Sequence, residues 1–391
     1  LAAIGLTCSL TAQYFAAKSA VGVSTALRRD LFKHIGMLSY SEQDTMGTAT
    51  LITRMTSDIN QVQSGLNLAL RLLLRSPFVF GAMVMAFTVN VKAALVFVVA
   101  IPALSVVVFG IMLVSMPLYK KVQRQLDSVT RSTRENLTGV RVIRAFNRQE
   151  DEIKNFDQEN SLLVDMQIFV GKISAMMNPV TYVIINGATI AIVWIAGKQV
   201  NQGIITQGQT VALVNYMSQI LVELIKMANL IVSISKALAC ANRVNKVFDT
   251  ESSIKEVPNA KTADSAKSEG NPVDAVVFNH VDFAYKNAKE DSLTDINLTV
   301  KRGQTIGVIG GTGSGKSSLV NLIPRFYDVR QGSVSIDGVD VREYALKDLR
   351  NRIGVVPQKA VLFEGTLREN MRWGKKDATD EEIYRALDIA Q

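Results

Sequence analysis

Residues 310–317 read Gly-Gly-Thr-Gly-Ser-Gly-Lys-Ser, a glycine-rich loop that closes on a lysine and a hydroxyl. Gly310, Gly315, Lys316 and Ser317 carry the spacing of a phosphate-binding loop. Glycines here, with Gly311 and Gly313 among them, let backbone N–H groups curl around phosphate oxygens without a Cβ in the way. Lys316 is expected to reach the β- and γ-phosphates as a point charge, and the Ser317 hydroxyl to ligate Mg²⁺. Thr312, Ser314 and Ser318 lie in the same stretch and are counted with it as nucleotide-binding residues. A helix starting at this point adds its positive end to the same anion.

The flanking elements have to present such a loop. Residues 305–309 (TIGVI) are short, apolar and β-branched, which predicts a buried strand. Residues 317–326 place Leu319, Leu322 and Ile323 at helical spacing. Strand, loop and helix thus follow in the required order. The competing reading, a glycine-rich turn without a ligand, does not explain that order.

Three further stretches narrow the class: residues 281–285 (VDFAY), 332–340 (GSVSIDGVD) and 353–370 (IGVVPQKAVLFEGTLREN). With the loop, they resemble the nucleotide-binding domain of ATP-binding cassette proteins. Within that family they are similar to bacterial multidrug-type exporters, which fuse a membrane domain to the cassette. The resemblance runs over nearly the whole chain. It implies ATP and Mg²⁺ as cofactors. It also implies that Tyr285 stacks on the adenine ring, a contact with modest base selectivity because any purine offers a π face. A strand aromatic packed in the core is the other reading of Tyr285. Gln358 matches the glutamine that senses Mg²⁺ and the attacking water, which makes Lys316 and Gln358 the catalytic candidates and Ser317 and Gln358 the metal candidates. A solvated loop glutamine after Pro357 is the alternative. Gly365, Thr366, Arg368, Glu369 and Asn370 match a stretch that helps to form a docking surface for the membrane domain.

The same resemblance calls for a signature segment, a strand ending in Asp and Glu, and a switch histidine after residue 391, and none occurs in the chain. His280 precedes the loop and reads as a strand-edge residue. Residue 1 is Leu, inside an apolar run. The expectation is an internal fragment truncated at both ends, able to bind ATP weakly but lacking ATPase activity by itself.

Hydrophobic residues make up 48% of the chain and are concentrated in its first part. Residues 1–17, 76–91, 93–119, 173–197 and 199–222 carry no charge. A spanning helix needs about 20 mostly apolar residues, so five spans are expected where the family has six. The links at 26–61 and 120–160 are long and basic, which places them in the cytoplasm. Residues 134–156 set Leu137, Val140, Ile143 and Phe146 at helical spacing between charges, an amphipathic pattern. By resemblance, residues 40–47 and 135–142 are coupling helices that press into the cassette surface near Gln358; a solvated helix face is the other reading.

The expected fold class is therefore multi-domain: an all-α polytopic membrane domain with long helices reaching into the cytoplasm, plus an incomplete α/β P-loop domain. The expected boundaries are 1–250 for the transmembrane domain, 251–272 for a small-polar linker, and 273–391 for the N-terminal part of the cassette domain. Pro77, Pro102, Pro117 and Pro179 are candidate kinks. Glu223 and Lys226 lie one helical turn apart and can pair; they read either as an internal ion pair or as part of a substrate pathway.

The net charge of +8 comes without the aromatic–basic interleaving of single-strand binders, so no nucleic-acid partner is expected. Cys8 and Cys240 form no metal spacing and no disulfide framework. The leading reading is one half of a dimeric ATP-driven exporter in the plasma (cell inner) membrane, multi-pass, with its nucleotide-binding domain in the cytoplasm. Its partner is a second half-transporter, with a heterodimer favoured over a homodimer. Its cargo is an apolar or amphipathic small molecule, drug- or lipid-like. The alternative is a nucleotide-binding, non-hydrolytic regulatory half of a heterodimer. A soluble P-loop enzyme is opposed by the uncharged run from residue 93 to 119.

Overall fold

The computed structural model describes residues 2–73, 77–257, 261 and 274–390. The chain folds into two compact units, Leu1–Arg29 with Arg54–Asn245, and Asp30–Thr53 with Lys246–Gln391. Most of the expected linker, residues 258–260 and 262–272, lies outside the described residues, as do residue 273 and residue 76 at the start of the second expected span.

Helices account for the first unit. α1 (Ala2–Met37) starts in it and runs on into the second unit, which also holds α2 (Tyr40–Met46) and α3 (Thr48–Thr53). The chain re-enters the first unit through one π-helical turn, Arg54–Asp58. There follow α4 (Ile59–Leu73), α5 (Pro77–Val89), α6 (Val91–Thr138), α7 (Val140–Ala145), α8 (Gln149–Ala175), α9 (Met177–Asn201) and α10 (Gln207–Phe248). A single residue joins α5 to α6. Asn90 caps α6 by accepting from the Ala93 N–H at 3.0 Å, which satisfies one of the donors a helix start leaves open.

The core of this unit is built from α5, α6, α9 and α10. Ala86, Ala93, Ala94, Ala100 and Ala188 keep the helices close, and Phe97, Leu104, Ile192, Leu213, Met217 and Ile220 fill the space between them. Small residues at helix contacts are what packing in lipid requires, because lipid tails offer no hydrophobic drive toward association. The outward faces are apolar too: Val99, Val106 and Val183 are each 73% exposed. Among the described residues, Val91–Thr138 and Gln149–Asn201 are each long and apolar enough to cross a membrane.

Prolines act unequally. Pro102 and Pro117 sit inside α6 without ending it. Pro179 lies in the first turn of α9, where its missing N–H costs nothing, and the helix boundary falls just before it at Met176. The expected amphipathic stretch 134–156 is helical in pieces. Gly139 separates α6 from α7, and Asn147, with φ of 53°, falls in the break before α8. Its apolar stripe is left uncovered, with Leu137, Val140 and Phe146 all exposed.

In the second unit, β1 (Asp274–Phe283), β2 (Leu293–Lys301), β3 (Gln331–Ile336) and β4 (Val339–Asp340) form an antiparallel sheet in the order β2-β1-β3-β4. α11 (Lys316–Leu322), α12 (Leu346–Arg350), α13 (Leu367–Met371) and α14 (Asp380–Ala390) complete it. Phe278, Val281, Phe283, Val334, Ile336, Leu322, Tyr344 and Leu349 make its core. A bulge at residues 279–280 interrupts the register of β1 on β2, with His280 in the left-handed region at φ of 47°.

The strand expected at residues 305–309 does not form. Residues 304–311, which include the predicted strand 305–309, are irregular and exposed, and Ile309 is 99% exposed. A strand needs a neighbour to take its backbone hydrogen bonds. Among the described strands none pairs with this segment, so β-branched composition alone does not make it one.

Candidate nucleotide site

The loop from Gly310 to Ser317 turns on two left-handed glycines, Gly313 at φ of 85° and Gly315 at 83°. Any Cβ at Gly315 would lie 2.8 Å from the Leu293 side chain and from the Ser292 carbonyl. A Cβ at Gly310 would lie 2.6 Å from the Ser314 hydroxyl. Gly315 is thus required by the loop's own closure, and Gly313 by its left-handed backbone, while at Gly310 the Ser314 hydroxyl would have to turn aside. α11 starts at Lys316, so the first-turn N–H groups of Lys316 and Ser317 have no acceptor within the helix. They are donors suited to a phosphate oxygen.

The Lys316 ammonium folds back over the loop. It donates to the Gly310 carbonyl at 2.8 Å, the Gly311 carbonyl at 2.6 Å and the Ser314 hydroxyl at 3.3 Å. The ammonium therefore already occupies the mouth of the loop, where it can exchange these neutral acceptors for phosphate oxygens and gain charge-assisted bonds. Ser317 is exposed and Ser318 is buried. Thr312 lies on the exposed tip. The residues present thus fit a triphosphate, and the exposed Ser317 hydroxyl suits a Mg²⁺ ion bound to it.

Tyr285 comes next to this loop. Its hydroxyl is 2.8 Å from the Ser318 hydroxyl at the start of α11. Its ring packs edge-on against Phe283 and Tyr327, with centroids 4.9 and 5.3 Å apart. The ring is held at two sides, and the residue remains 38% exposed. Gln358 lies on the exposed irregular segment 353–363. Gly365 to Asn370 are used locally. Thr366 and Glu369 form a capping box at the start of α13, Arg368 pairs with Asp380 at 2.8 Å, and the Asn370 amide holds the Phe363 backbone. The capping box satisfies two backbone donors at once.

The second unit also holds α2, and the residues that seat it were not singled out in the sequence. The Tyr40 ring lies 4.7 Å from that of Phe326 and 6.2 Å from that of Tyr327. Tyr327 donates its hydroxyl to Asp44 at 2.6 Å. Glu42 is buried between the Ser39 hydroxyl, the Ser253 N–H and hydroxyl, both at 3.3 Å, and the Lys286 ammonium at 3.3 Å. Burial alone would raise the Glu42 carboxyl, but these hydrogen bonds outweigh it and hold it below its ordinary value. Burial and the Asp44 carboxylate push the Tyr327 phenol well up, so it stays a donor. Of these partners of α2, Tyr327 packs against Tyr285 and Lys286 is the next residue in sequence, whereas the resemblance implies a seat near Gln358. The available signal was the aromatic Tyr40 at the head of residues 40–47, together with the Phe326-Tyr327 pair beyond α11. That helix stops at Leu322, ahead of Pro324.

The ABC transporter transmembrane region family matches residues 1–224, and the ABC transporter family matches residues 293–391. Similar proteins include an uncharacterized ABC transporter ATP-binding protein of Mycobacterium tuberculosis (strain ATCC 25618 / H37Rv), 33% identical over 98% of this chain and 66% of that protein. An ATP-dependent lipid A-core flippase of Desulfotalea psychrophila is 32% identical over 93% of this chain and 62% of its own length. A Bacillus subtilis ATP-binding/permease protein, whose name assigns it provisionally to multidrug export, is 32% identical over 97% and 64%. The chain thus spans about two thirds, or slightly less, of the length of these relatives.

Proposed function

We propose that this chain, which belongs to the ABC transporter family, forms one half of an exporter driven by ATP at residues 310–318. The observation that carries the reading is a closed phosphate loop in the same chain as helices long and apolar enough to cross a membrane. Lys316 exchanges the Gly310 and Gly311 carbonyls for the β- and γ-phosphates. The first-turn N–H groups of α11 and the loop amides hold the remaining oxygens, and the Tyr285 face takes the adenine. Ser317 and Gln358 are the residues that would hold Mg²⁺, which supplies charge neutralisation at the transferred phosphoryl group.

The cargo is an apolar or amphipathic small molecule, drug- or lipid-like. The names of the flippase and multidrug relatives support this class. The half works against a second half-transporter, with a heterodimer favoured, in the plasma membrane, its nucleotide-binding part on the cytoplasmic side. The basic links at 26–61 and 120–160 support that side by the excess of Lys and Arg in cytoplasmic segments.

The experiment is ATP turnover by the full-length protein in lipid nanodiscs, beside Lys316→Ala. Turnover that falls by at least about 100-fold in the variant supports the hydrolytic reading, since the lysine stabilises charge at the transferred group. ATP binding without turnover in the wild type would move the assignment to a non-hydrolytic regulatory half.

A further inference from the structure

Three segments of chain leave the first unit: α1 after Arg29, the π-helical turn before Arg54, and α10 after Asn245. Within a few residues of each crossing, side chains tie these segments together inside that unit. Arg28 of α1 donates to Asn60 of α4 at 2.5 Å. One turn further in, Ser24 donates to Gln63 at 2.7 Å. Arg243 of α10 grips the Asp58 carboxylate with two N–H groups, Nε to Oδ2 at 3.0 Å and Nη2 to Oδ1 at 2.6 Å. Arg54 adds a third bond to the same carboxylate at 2.7 Å.

Several features set this cluster apart from a surface ion pair. The Asp58 side chain is 5% exposed. A fork of two parallel bonds from one guanidinium fixes direction as well as distance. Asp58 closes a π-helical turn, a rare local geometry that concentrates at functional sites. Beyond the clasp, α4 and α10 touch at their backbones: a Cβ on Gly65 would fall 2.3 Å from the Ala237 Cβ. Removing one partner of a buried pair leaves the other charge uncompensated, so the arrangement opposes any sliding of α4 along α10.

We propose that Asp58, with Arg243 and Arg54, is a positioning clasp that locks the start of α4 to α10, and that with the Arg28–Asn60 and Ser24–Gln63 bonds holding α1 to the same α4 it makes the three helices move as one body where the chain leaves the first unit. Motion generated by nucleotide then enters the membrane helices through a single rigid collar. The proposal rests on the exporter reading above. Among the described residues, the side-chain hydrogen bonds of Asp58 and Arg243 run to each other, to Arg54 and to Cys240, so their substitution changes the transmission of the ATP cycle and leaves the loop residues 310–318 in place.

The test uses the full-length protein in nanodiscs, as wild type, Asp58→Asn and Arg243→Lys. Three quantities are read: ATP turnover, melting temperature, and the change in amide exchange across residues 207–245 caused by ATP with vanadate. The expected result is near wild-type turnover in both variants. The nucleotide-induced exchange change in α10 falls roughly threefold to tenfold, more in Asp58→Asn than in Arg243→Lys, which keeps the charge but loses the fork. If Asp58→Asn does not fold, Arg243→Lys decides alone. An exchange response equal to wild type, or one that drops only in proportion to turnover and melting temperature, overturns the clasp. A wild type that hydrolyses ATP with no exchange change in its helices would instead overturn the exporter reading, so the two failures are distinguishable.

Discussion

Tyr327 donates its hydroxyl to Asp44 at 2.6 Å, across 283 positions of sequence. The same Tyr327 ring packs edge-on against Tyr285, the expected adenine platform. One aromatic side chain therefore touches both α2 and the wall of the candidate nucleotide site. Tyr327→Phe removes the bond and keeps the ring. Amide exchange in α2 is expected to quicken by roughly tenfold, the equivalent of about 1.4 kcal/mol for a hydrogen bond to a charged group. Asp44→Ala, which removes the acceptor, should have the same effect, and the two together should add little beyond either one. Full additivity would show that the two residues act separately.

Tyr285 makes two separable contributions. The residue is 38% exposed, which leaves area for the proposed stacking, and its hydroxyl meets Ser318 at the head of α11. Tyr285→Ala should weaken ATP binding by about tenfold, the upper range of an aromatic stacking contact. Tyr285→Phe keeps the stacking face and should cost no more than about threefold. Fluorescent-nucleotide titration of the full-length protein checks both values. Equal losses would assign the effect to the hydroxyl and remove the stacking role.

The Asp58 carboxyl has a defined pH signature. Hydrogen bonds from Arg243, acting against burial and helped by Arg54, lower it from 3.8 to about 2. A group lowered in the folded state gives its full stabilisation above its unfolded pKa and loses it as pH falls through the folded one. Asp58 should therefore contribute about 2 kcal/mol at neutral pH, fading between about pH 4 and pH 2. Melting of wild type and Asp58→Asn in nanodiscs should show a gap at pH 7 that narrows toward pH 3. A gap of constant size would mean that packing, and not the ionised carboxylate, holds the clasp.

What the sequence revealed and what it hid divide along the range of the interactions. The loop at Gly310 to Ser317 was legible because its glycines, lysine and hydroxyl act on neighbours a few residues away. The long uncharged runs that became α6 and α9 were legible because length and composition alone decide them. The segment at 305–309 was not, because a strand is made by its neighbour and no described strand pairs with it. The stripe at Leu137, Val140, Ile143 and Phe146 gave the helical period but not the breaks at Gly139 and Asn147, where local backbone geometry overrides it. The expected pairing of Glu223 with Lys226, one turn apart, is present at 2.9 Å. The pairing of Asp58 with Arg243, 185 residues apart, leaves no local trace in composition or spacing. The same holds for Tyr40 with Phe326.

On the proposed reading, ATP at the Gly310–Ser317 loop drives an amphipathic molecule across the membrane. The most direct measurement is ATP-dependent accumulation in proteoliposomes of the full-length protein, using a fluorescent phospholipid and a lipophilic cationic dye as probes. Wild type is expected to move at least one of them with ATP, and Lys316→Ala neither, a loss of at least about 100-fold in rate. Wild-type protein that hydrolyses ATP normally while moving neither probe would contradict the account.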